Sequence, residues 1–124
     1  MANQLAYTKT RERLMTKLFT CNFCAENMAS CIKANSADTY FGRLLHNLDQ
    51  LDQLVSAVAT ERPINEINKI DLAILRLCVF EWQEKHTPPK VLIDEAVELA
   101  KAFGTDSSYR FVNGALGKIM LKQD

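Results

Sequence analysis

Residues 68–82 read Asn68-Lys69-Ile70-Asp71-Leu72-Ala73-Ile74-Leu75-Arg76-Leu77-Cys78-Val79-Phe80-Glu81-Trp82. The stretch is too long for an ordinary strand and carries no alternation. Ile70, Ala73, Ile74, Leu77, Cys78 and Phe80 recur at three- and four-residue steps, the spacing of one helix face. Apolar residues also cover most of the other faces, which predicts a helix at the centre of a bundle. Asn68 followed by Asp71 resembles a capping box and predicts the helix start there. Glu81 falls on the core face, where a carboxylate needs a partner.

The flanking segments carry the same period. Upstream, Leu14, Leu18, Cys21, Ala25, Met28 and Ile32 form one stripe, with Met15 and Phe19 on its flank. A second stripe of Phe41, Leu44, Leu45, Leu48, Leu51, Val55 and Val58 follows, capped by Ser36 or Asp38 and ended at Glu61-Arg62-Pro63. After Pro88-Pro89, Leu92, Ile93, Ala96, Val97, Ala100 and Phe103 form another, with Gly104 in the position of a C′ glycine. Thr105, Asp106 or Ser107 caps a last helix that turns Val112, Ala115, Leu116, Ile119 and Met120 inward. Nothing reads as a strand. The expectation is an all-α protein in which residues 1–124 form one domain.

Composition agrees. The 124 residues are 48% hydrophobic and 24% charged, the proportions of a globular domain. No apolar run is long enough to span a bilayer, and the polar Met1–Thr10 stretch lacks a signal-peptide core, so a cytoplasmic location is expected. Such a location argues against disulfides among Cys21, Cys24, Cys31 and Cys78. Cys21 and Cys24 form a CxxC pair, but no second pair or histidine cluster completes a zinc site, so packing is the simpler reading. Four glycines leave no phosphate-cradling loop, and no catalytic constellation is suggested by spacing, so no enzyme and no cofactor are expected. The formal charge is zero overall, yet it is +3 over residues 1–20, −5 over 21–100 and +2 over 101–124. If the two ends meet, they form a modest basic patch suited to a polyanion.

An ordered set of short motifs then narrows the reading. Leu75-Arg76, Phe80-Glu81, Lys90-Val91-Leu92-Ile93-Asp94-Glu95-Ala96, Gly104 and Phe111-Val112-Asn113-Gly114 occur in the order and spacing of the NusB family, which the chain resembles. Thr10-Arg11-Glu12 and Leu18-Phe19 add a weaker match. The resemblance implies an all-α fold of two packed helical bundles. It also implies a role in transcription antitermination, with no cofactor. The implied partners are boxA-type single-stranded RNA and the small-subunit ribosomal protein that doubles as NusE. They act within a complex that includes RNA polymerase, and a homodimer is left open.

The same resemblance supplies site residues. RNA contact maps to Lys9, Arg11 and Arg13 on the first helix, and to Asp106, Ser107, Ser108, Arg110 and Phe111 around the start of the last. Partner contact maps to Phe19, Glu66 and Asp71. Each has an ordinary alternative. Lys9, Arg13 and Lys17 recur every four residues and suit a solvated face as well as phosphates. Phe111 is either a half-buried core residue or a stacking platform for an unpaired base. Arg11 points to the apolar side, where pairing with Glu81 would make it structural. The N-terminus is less basic than is usual in the family, and Asp94 stands where Asn is usual. A second reading is therefore a diverged protein-interaction module without strong RNA binding.

Overall fold

The computed structural model describes residues 3–121, with side chains from Tyr7 onward. The charges of Lys122 and Asp124 and the first two residues of the N-terminal polar stretch lie outside the described residues. Seven α-helices run in order: α1 (Asn3–Cys21), α2 (Ala25–Ala34), α3 (Tyr40–His46), α4 (Leu48–Val58), α5 (Lys69–Lys85), α6 (Pro89–Phe103) and α7 (Ser108–Met120). A short 3-10 turn, Ile64–Glu66, precedes α5. There is no strand among the described residues, as the periodicity predicts.

The central helix forms where expected. Every residue of α5 from Asp71 to Glu81 is buried, and α5 packs against α1, α4, α6 and α7. The Asn68 side chain accepts hydrogen bonds from the Ile70 and Asp71 amides at 2.8 and 3.3 Å, so the cap is real. Helices α1–α3 form one layer and α4–α7 a second bundle, and α5 joins them. Arg76 fixes α5 to α4 within the second bundle. Its Nε and Nη2 each donate to Asp52 on α4 at 2.8 Å, from a residue only 6% exposed. This bidentate clamp gives Arg76 of the Leu-Arg motif its structural role.

Two expected helices are broken. The first stripe divides at Asn22–Cys24, where the chain turns before α2. Its buried line in α1 is Met15, Leu18 and Cys21, with Leu14 only half-buried. The second stripe divides at Asn47, whose Nδ2 donates to the Arg43 carbonyl at 2.7 Å. Phe41, Leu44, Leu45, Leu48, Leu51 and Val55 are still buried, because the break keeps them in phase. On α6, Leu99 takes the core position assigned to Phe103, which is 44% exposed.

The cysteine expectation is corrected as well. Cys21 and Cys31 form a disulfide between α1 and α2, with Cα atoms 6.0 Å apart. The turn at residues 22–24 folds α2 back and brings residue 31 over residue 21. Cys24 is free and exposed, and Cys78 is buried. No helix among the described residues is long and apolar enough to cross a membrane.

Helix α5 ends at His86, which adopts the left-handed conformation (φ 57°, ψ 29°). A Cβ there costs free energy that glycine avoids. His86→Gly is therefore expected to raise stability by about 0.5–1 kcal/mol in urea unfolding, despite glycine's larger unfolded-state entropy.

Candidate nucleic-acid interface

The start of α7 is positioned by a tight corner. Gly104 is extended (φ −94°, ψ −165°), not left-handed as a C′ glycine would be. Glycine is needed there for space: a Cβ would lie 2.5 Å from the Ser108 Oγ and 2.8 Å from the Ala100 carbonyl oxygen. The Ser108 hydroxyl accepts the Thr105 amide at 2.9 Å and is 1% exposed. Ser108 therefore shapes the corner and is not a surface contact, contrary to its assignment from the motif. The corner leaves Asp106, Ser107 and Arg110 exposed and Phe111 half-buried in the first turns of α7.

These side chains meet cations and rings that the sequence reading did not include. The Arg62 guanidinium, from the loop after α4, lies 4.6 Å from the Phe111 ring centroid. One face of Phe111 is thus already stacked. Tyr109 has Lys101 at 5.3 Å and Arg110 at 5.6 Å from its ring, and Arg110 Nε donates to its hydroxyl at 3.2 Å. Arg62, Arg110, Lys118 and Phe111 line a cleft of about 280 Å³ above Ala59, Thr60 and Gly114. Such a group offers charge for phosphate and flat faces for unpaired bases. The sequence signal for Tyr109 was its place beside Arg110; Arg62 had none, because it reaches Phe111 from a distant loop.

On α1, Lys9 and Arg13 are exposed without an ion-pair partner among the described residues. Lys17 leaves the ridge and lies 4.6 Å over the Phe41 ring. Arg11 faces inward and is 7% exposed. Its Nε and Nη2 donate to the two Glu81 carboxylate oxygens at 2.9 and 2.8 Å, and its Nη1 donates to Glu95 at 3.3 Å. Thr87 donates to Glu81 and Thr8 to Glu95, both at 2.8 Å. Burial alone would raise the Glu81 carboxyl, but hydrogen bonds from Arg11 and Thr87 outweigh it and hold it below its ordinary value. Arg11 is therefore held inside the bundle by two carboxylates, on the same helix as the exposed Lys9 and Arg13. Asp94, Glu95 and Glu98 on α6 line an open cleft with Lys101 and Tyr109. Glu95 thus belongs both to the α1 network, through Arg11 and Thr8, and to this acidic strip on α6.

The three partner-facing candidates separate. Phe19 is half-buried and packs edge-on against Phe23 at 5.4 Å, and Phe23 is 60% exposed. Lys69 Nζ donates to the Asn22 carbonyl at 2.9 Å, which holds the α1–α2 turn beside the start of α5. Phe19, Phe23 and the exposed Glu66 thus lie toward one end of the molecule. Asp71 does not join them, because it is 2% exposed and its Oδ1 has no hydrogen-bond partner. Burial pushes its carboxyl above the ordinary value, offset only in part by the Ser108 hydroxyl and the Arg62 charge.

With this geometry in place, the relatives are informative. The NusB family model matches residues 2–121, and the chain belongs to that family. It is similar to the transcription antitermination protein NusB of Aeromonas salmonicida, at 46% identity over 67% of this chain and 60% of the relative. A protein of the same name from Treponema denticola is 43% identical over 63% of this chain and 58% of that one. The aligned stretch thus spans about 60% of the length of these relatives. A solved T. maritima NusB superposes with a TM-score of 0.76 at 26% identity, covering 94% of this chain and 91% of that one.

Two expectations follow for stability. Glu81→Ala strands the Arg11 charge and should lower stability by about 3 kcal/mol, and Arg11→Met with Glu81→Leu should recover most of it. The depressed Glu81 value means its contribution is present above the unfolded carboxylate range and is lost as pH falls through the folded value. Asp71 has the opposite sign: its raised value makes ionisation costly, so stability is gained as pH falls through it. Asp71→Asn should raise stability near neutral pH and remove that acid-side gain, measured by urea unfolding at about pH 7 and pH 5.

Proposed function

We propose that this protein is a non-enzymatic transcription antitermination factor that acts in the cytoplasm. It binds boxA-type single-stranded RNA together with the NusE-type ribosomal protein, in a complex with RNA polymerase that aids ribosomal RNA transcription. The observation that carries the reading is the NusB family match across residues 2–121. The α7 corner supports it chemically. Arg110 and Ser107 are exposed and within reach of phosphates, and Arg62 stacked on Phe111 extends a flat cationic surface toward bases. Unpaired RNA suits such a surface, because its bases splay and stack. Lys9 and Arg13 add phosphate contact from α1, the helix that also carries the buried Arg11. Phe19 and Glu66, joined by Phe23, form the end that receives the ribosomal protein.

A protein-directed module without strong RNA binding is the second reading. It is favoured by the burial of Arg11, which removes one of three basic residues assigned to RNA on α1.

Fluorescence anisotropy of a boxA-like RNA, with and without the NusE-type protein, separates the two. Binding should be weak alone, tighter with the partner, and weaker as salt rises from about 50 to 200 mM. Phe111→Ala should cost about 1–3 kcal/mol of RNA affinity. Arg110→Ala should lower both affinity and the salt slope. RNA binding by neither the protein nor the complex, with both chains folded, would leave the protein-directed reading.

A further inference from the structure

Helix α2 is held to the rest of the molecule in an unusual way. None of its residues is buried, and Cys24, its N-cap, makes no side-chain cap. Met28, Cys31 and Ile32 are only half-buried against the core. Among the described residues, no side chain of Ala25–Ala34 makes a hydrogen bond or ion pair to another helix. At ten residues, α2 is shorter than the roughly 12–15 at which isolated helices become even marginal in water. The Cys21–Cys31 disulfide is its one strong attachment.

The third thiol cannot take over this role. Cys24 and Cys31 are seven residues apart, about 10 Å along the helix, beyond the roughly 7 Å Cα limit for a disulfide. A Cys21–Cys24 bond would close within the turn and attach nothing beyond it. Cys78 is buried, and burial pushes its thiol up to about 12, which leaves it inert to exchange. The pairing of residues 21 and 31 is therefore the one crosslink that fastens α2 to α1.

We propose that Cys21–Cys31 is a redox latch that docks α2 when oxidised and releases it when a small thiol or dithiol reduces it. The attacking thiolate forms a bond to the half-buried Cys31 Sγ. The Cys21–Cys31 bond breaks, and Cys21 leaves with the electron pair and takes a proton. A second thiolate attacks the external sulfur of the mixed disulfide and frees Cys31, which is protonated. Two external thiols become one disulfide, and the protein gains two electrons and two protons. Release loosens the α1–α2 turn, including exposed Phe23 beside Phe19. The consequence for partner affinity rests on the function proposed above; the latch itself does not.

The experiment compares protein treated with oxidised glutathione and protein reduced with dithiothreitol. Peptide mapping of the oxidised form should show residues 21 and 31 linked, with native alkylation at Cys24 alone. Hydrogen exchange over residues 25–34 should be about tenfold faster after reduction, with α5 unchanged. Cys24→Ser should keep this response, and Cys31→Ser should match the reduced form. Should Cys31→Ser not fold, the reduced wild-type protein carries the comparison. Failure of oxidised glutathione to link 21 to 31, or equal protection of α2 in both states, overturns the latch. A redox-dependent α2 with no RNA or ribosomal-protein binding upholds the latch and removes the functional reading alone.

Discussion

A guanidinium from α1 and a carboxylate from α5, buried together, connect the two halves of this molecule. Arg11 grips Glu81 through two hydrogen bonds and reaches Glu95 on α6, while Thr87 and Thr8 satisfy the same carboxylates. Removing two charges from water is costly, and mutual attraction offsets that cost only when geometry is good and the remaining lone pairs are filled. Both conditions are met. An apolar pair could hold the same space with similar stability, but it would not specify one register of α1 on α5 as sharply. The direction in which Lys9 and Arg13 face solvent depends on that register.

Arg76 with Asp52 repeats the device at the other junction, between α5 and α4. Together the two clamps place α5 against both layers and leave the ends of the bundle to loops. Those loops carry the surface chemistry: the Gly104–Ser108 corner aims Arg110 and Phe111, and the segment after α4 brings Arg62 over the Phe111 ring. Rigid helices hold the frame, and short connections present the groups suited to RNA.

The α1–α2 end is built differently. Its contacts are few, its helix is short, and a covalent bond does the work that apolar burial does elsewhere. Local stability follows buried contact density, so this is the part of the fold whose position can respond to redox chemistry while the α5-centred core stays intact.

The sequence by itself determined the helical class, the central place of residues 68–82, most of the core faces, the family, and the pairing of Arg11 with Glu81. Each of these follows from local periodicity or from the cost of an unpaired charge on an apolar face. It did not reveal the breaks at Asn22–Cys24 and Asn47, because the apolar stripe stays in phase across both. The family resemblance assigned Ser108 and Asp71 to contact surfaces, but a motif match carries no burial; where α7 packs on α5, both are buried. Arg62 over Phe111 and Cys31 over Cys21 were decided by the tertiary structure alone. Such contacts depend on how a chain reverses between helices, and spacing along a sequence records the faces of a helix but not the path of the turn that joins it to the next.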